Sequence, residues 1–162
     1  MAMNEIERIV DQLEREHAGE PWHGSSLRAI LDGVTHEEAA ARPLGAAHTI
    51  WELVLHITAW KNEARSRLEG APAGEPREGD WPPPGAATSE RWAEALHDLE
   101  TAHRLLVSAV RAFPEQNLHV PTNDPRHEGP ATTNYELLMG IVQHDVYHSG
   151  QIALLRKAAA LR

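Results

Sequence analysis

Hydrophobic positions in this chain recur every three to four residues almost from end to end, and no stretch alternates apolar and polar residues with a period of two. Ile6, Ile9, Val10 and Leu13 make the first apolar stripe, and Gly19-Glu20-Pro21 punctuates it just after His17. Ser25 to Leu31 predicts a short helical piece. Thr35-His36-Glu37-Glu38 has capping-box form, in which hydroxyl and carboxylate satisfy each other's orphan amides, and opens a few turns that stop before Pro43. A second box, Thr49-Ile50-Trp51-Glu52, opens a helix whose stripe Leu53, Ile57, Trp60, Ala64 and Leu68 runs to Gly70.

Residues 70–87 hold nine Gly or Pro in eighteen, so neither helix nor strand persists there, and a long crossover is predicted. Trp92, Leu96, Leu99, Leu106 and Val110 mark a third long helix, closed by Phe113-Pro114. Residues 114–132 form a second irregular stretch, with a brief extended piece expected around Leu118–Val120. Thr133-Asn134-Tyr135-Glu136 caps a last helix, with Lys157 and Arg162 suitably placed for its negative end. The pattern predicts an all-α, four-helix bundle in a single domain, 1–162. Its long connection between helices two and three permits those two to run parallel.

Charge narrows the partners. Fifteen Lys and Arg face 24 Asp and Glu, a formal −9, which repels nucleic acid and anionic membranes alike. No apolar signal core opens the chain and no run of eighteen apolar residues occurs, so the cytoplasm is the expected location. With no cysteine, the chain has no thiol nucleophile or thiolate ligand, and any metal must bind through nitrogen and oxygen.

Eleven histidines are the compositional excess, and their positions on the helices decide what they mean. His144 and His148 stand at i and i+4, close enough for one cation to reach both rings. They continue a stripe through Leu137, Ile141, Ile152 and Leu155, so imidazole occupies positions that a bundle would fill with leucine. Buried and unpaired, each would cost about 1–3 kcal/mol, which a shared ion removes. His56 lies on the apolar flank of the second helix with Leu53 and Trp60, and is the best candidate for a third ligand. Three neutral imidazoles with open positions suit a catalytic metal site, and zinc, nickel, copper, iron and cobalt all accept them.

Other residues enter more weakly. Glu52, one turn before His56, and Gln151, three residues after His148, are candidate base or hydrogen-bonding groups, although capping already accounts for Glu52. Trp22, His23 and Trp60 are candidate pocket-lining residues. His36, His119 and His127 read as solvated, His97 and His103 as surface or boundary positions, and Asp145 and Tyr147 as packing or solvent residues off the stripe. His17 continues the first stripe but also suits a helix C-terminus.

His56 in HTIWELVLHITAW, the segment PWHGSSL and the run HDVYHSGQIALLRK together resemble the DinB-like superfamily of metal-binding four-helix bundles across nearly the whole chain. The resemblance implies an up-down-down-up bundle and a homodimer formed through helix faces. It also implies a zinc or nickel ion on His56, His144 and His148. Relatives implied by it use the metal to activate a low-molecular-weight thiol for transfer, or are described as metal-dependent hydrolases. The expected function is therefore metal-dependent thiol transfer or hydrolysis on a small-molecule substrate, with a non-catalytic metal- or ligand-binding bundle as the alternative.

Overall fold

The computed structural model describes residues 3–126 and 131–160; His127 and Arg162 lie outside them. Among the described residues the helices are α1 Glu5–His17, α2 Leu27–Leu31, α3 His36–Ala40, α4 Ile50–Leu68, α5 Ser89–Ala112 and α6 Asn134–Ala159, with a 3₁₀ turn at Glu115–Asn117. Three of the four long helices begin in a complete capping box, Asn4 with Glu7, Thr49 with Glu52 and Thr133 with Glu136, and the short α3 does so through Thr35 and Glu38. Each pair satisfies amides that the first turn leaves without partners. None of the described helices is long and apolar enough to cross a membrane.

Side-chain register shows the directions of the four long helices. Trp51 and Trp92 touch near the starts of α4 and α5, with ring centroids 5.2 Å apart, so these two helices run parallel and residues 69–88 return the chain along the bundle. His17 at the end of α1 stacks on His103 in α5, while Ile6 clusters with Val110, an antiparallel pairing. Ser149 bonds Glu16, and Ile6 clusters with Leu138, which sets α6 parallel to α1 and antiparallel to α4. The order is up-down-down-up. α2 and its flanks close one end, where Arg156 donates to the Ile30 carbonyl and the Trp92 indole N–H donates to Val34.

The core is two apolar clusters with a polar layer between them. One gathers Leu27, Trp51, Ile57, Trp92, Leu99 and Ile152; the other gathers Ile9, Leu13, Ala64, Leu106, Val110 and Leu138. At the level between them, all four helices bury polar side chains: Glu16 and His17, Lys61, His103, Asp145 and Ser149. Two expectations are corrected here. His103 is buried, and Asp145 has no exposed surface. α6 packs against α1, α2 and α4, so more than one of its faces is interior, and a single apolar stripe underestimates what it buries.

The extended piece expected around Leu118–Val120 is also absent. Leu118 is buried in helical conformation after the 3₁₀ turn, and only an isolated antiparallel bridge, Pro121 with Thr133, follows. Proline has no N–H to extend such a ladder.

Candidate metal centre

His56 sits in the second turn of α4 and His144 and His148 face it from α6, because antiparallel packing brings the first turns of one helix beside the middle of the other. One nitrogen from each ring lies within 4.8 Å of the other two. The Nε2 atoms of His56 and His144 are 2.9 Å apart, and the ring of His148 stands nearly perpendicular to both. His56 and His148 are buried, whereas His144 is partly exposed and forms the open side of the site.

The remaining ring nitrogens are held from behind. His56 Nδ1 lies 2.6 Å from the backbone carbonyl of Asp80, and His148 Nδ1 lies 2.8 Å from Gln151 Oε1. Both partners only accept, so both rings carry their proton on Nδ1 and present a bare lone pair at Nε2. Burial pushes His148 down to about 4 and also lowers His56, so both are neutral at ordinary pH. Converging neutral imidazoles without a thiolate fit a divalent ion such as zinc or nickel. Among the described residues, no other group of three His, Asp or Glu side chains converges in this way.

Part of the site comes from the crossover. Asp80 accepts the Trp60 indole N–H through Oδ1 at 2.7 Å as its carbonyl holds His56, and its own N–H is bonded by Glu75. Trp81 stacks on both His56 and His48, making a three-ring stack that covers His56. Beside it, a cavity of about 270 Å³ is lined by Leu44, Ala47, His48, Leu53, Gln151, Leu154 and Leu155. Sequence reasoning missed Asp80, Trp81 and His48. The signal available was Trp81 itself, the one bulky apolar side chain in the Gly- and Pro-rich stretch 70–87.

The weaker candidates divide. Gln151 touches His148, and Trp60 lies 6.3 Å from His56 and 6.1 Å from His144, ring to ring. Glu52 is committed elsewhere: it accepts the Thr49 N–H in the cap and pairs with Arg42 at 2.5 Å, with His48 3.5 Å away. Trp22 is fully exposed and His23 beside it is exposed, and the structure does not join either to the three rings. His36 pairs with Glu37, His97 and His119 are exposed, and Tyr147 is exposed with its ring 5.0 Å from His148.

The family model for the DinB superfamily matches residues 22–152, a span that contains all three histidines together with Asp80 and Trp81. No curated protein and no solved structure matches the chain.

Proposed function

We propose that this chain, which belongs to the DinB superfamily, holds a zinc or nickel ion on His56, His144 and His148 and acts as a metal-dependent enzyme on a small-molecule substrate. The reading is of a cytoplasmic homodimer that activates a low-molecular-weight thiol or water for transfer or hydrolysis. The observation that carries it is the convergence of three ring nitrogens within 4.8 Å, two of them with their other nitrogen already bonded from behind. When bound, such an ion supplies the Lewis acidity that makes water or a thiol nucleophilic near neutral pH.

The chain's own residues then bind, orient and shield. Asp80 and Gln151 fix the orientation of His56 and His148, and the His48–Trp81 pair keeps water from one side of His56. The apolar cavity beside Gln151 offers room for the carbon skeleton of a small substrate. Any thiol must arrive as a cosubstrate, since the chain has no cysteine. Exposed Tyr147 and Leu154 on α6 give a helix face for the partner copy.

One observation favours the second reading, a bundle that binds the ion without catalysis: Glu52, the nearest candidate base in the sequence, is tied up in its cap and ion pair. Two measurements decide. Elemental analysis is expected to find a stoichiometric divalent ion in the purified protein and none in His148→Ala; full occupancy in that variant overturns the metal site. A model electrophile incubated with candidate thiols, and ester and amide panels without them, separate the readings: turnover supports the enzyme, and none across the panel supports the binder.

A further inference from the structure

Two of the three rings of the metal centre have an obvious partner at Nδ1, and the third does not. His144 Nδ1 is buried and makes no hydrogen bond. Asp145 Oδ1 is also buried without a hydrogen bond, and it lies 3.5 Å from that nitrogen. These two orphan atoms face each other on one helix, a donor position beside an acceptor.

We propose that Asp145, neutralised by Lys61, is the positioning residue of His144: its Oδ1 takes the Nδ1–H of that ring and so presents the Nε2 lone pair to His56 and His148. The inference rests on the metal-site reading. A neutral imidazole carries one proton, and His144 has two neighbours that compete for it. Were that proton on Nε2, it would bond the bare Nε2 of His56 at 2.9 Å, taking up the lone pairs that a metal needs, and leave a bare Nδ1 lone pair against a carboxylate. With the proton on Nδ1 and a cation at the Nε2 atoms, every atom has a complementary partner. A histidine ligand usually donates its second N–H to a carboxylate, a carbonyl or water, and Asp80 and Gln151 already fill that place for the other two rings.

Lys61 explains how a carboxylate can sit there. Asp145 and Lys61 have no exposed surface, and Lys61 Nζ bonds Asp145 Oδ2, leaving Oδ1 for the ring. The pair spans α4 and α6, the two helices that carry the three histidines. An isolated charge at this depth is prohibitively costly, yet a well-packed apolar pair would serve stability at least as well as an ion pair. A fully buried pair is therefore poorly explained by stability and well explained by its neighbour. Glu16, close by, does not compete for Lys61: burial, with Asp145 adding to it, pushes Glu16 up to about 8, so it is largely uncharged at neutral pH.

The test uses the full chain with zinc alone as probe. Lys61→Met with Asp145→Leu removes both charges and the acceptor, and Lys61→Met with Asp145→Asn restores an amide oxygen acceptor. Zinc affinity, from competition with a chromophoric chelator, is expected to fall about 10–100-fold in the first variant and to recover in part in the second. Zinc binding by the first variant within twofold of the parent overturns the proposal. Nitrogen NMR of the zinc-loaded parent, which needs no variant, is expected to find a proton on His144 Nδ1; a bare or metal-bound Nδ1 there overturns it too. A parent that binds no zinc overturns the metal reading and this proposal together, whereas zinc binding that the first variant leaves unchanged overturns the proposal alone.

Discussion

Trp81 lies face to face on His56, ring centroids 3.9 Å apart and planes 7° from parallel, although one residue belongs to a Pro-rich crossover and the other to a helix. The stack joins an irregular segment to the metal centre, and Asp80 reinforces the join by holding both His56 and Trp60. Trp81→Ala is expected to cost about 1–2 kcal/mol, to weaken zinc binding and to expose residues 70–87 to limited proteolysis. Trp81→Phe keeps a ring on His56 and is expected to retain most of the affinity. Equal protease resistance in parent and Trp81→Ala would remove the anchoring role.

Metal should report on folding directly. An ion that binds only the folded bundle at 100 times its Kd adds about 2.7 kcal/mol of stability, which for a chain of this size raises the melting temperature by about 5–10 °C. Differential scanning fluorimetry with and without zinc is expected to show this rise for the parent and none for His56→Ala or His148→Ala.

Glu16 gives stability an unusual pH dependence. Its folded-state value, near 8, lies above the usual 4.5, so the unfolded chain releases this proton first. The contribution is fully present below pH 4.5 and is lost as pH rises toward 8. Glu16→Gln keeps the shape of the protonated acid and removes the titration. Urea unfolding of metal-free protein is expected to show the variant gaining roughly 1–3 kcal/mol on the parent between pH 5 and pH 8. Parallel stability curves across that range would contradict the assignment.

His103 acts in the opposite sense. Burial, with Lys61 nearby, pushes it down to about 2, and neither ring nitrogen makes a hydrogen bond. Unfolding frees it to take a proton below about 6.5, so stability falls as pH drops from there toward 2. His103→Phe preserves the stacking surface toward His17 and leaves nothing to protonate. It is expected to raise stability at pH 7 by about 1–2 kcal/mol, by removing unsatisfied buried nitrogens, and to flatten the acid limb. A steeper acid limb in the variant would refute this.

The buried ion pair sets a further expectation. Lys61→Ala leaves Asp145 without its counter-charge and is expected to destabilise the protein by about 3–5 kcal/mol. Lys61→Met with Asp145→Leu, which leaves no lone charge, should recover most of that loss in thermal unfolding of the metal-free protein.

The sequence by itself determined the elements and the three histidines. Capping boxes at Thr35, Thr49 and Thr133 act within one turn, apolar spacing at 3.6 residues is a property of a single helix, and His144 and His148 meet through i,i+4 geometry alone. His56 could be picked out because it shares a stripe with Leu53 and Trp60. Only the tertiary structure decided what surrounds them. Asp80 and Trp81 reach His56 because the crossover folds back over α4, and no local pattern encodes where an irregular segment comes to rest. Lys61, His103 and Asp145 fall on faces that look solvated when each helix is read alone. Four helices press on those faces together, so burial there is a property of the packed assembly, and the charges must find one another inside it.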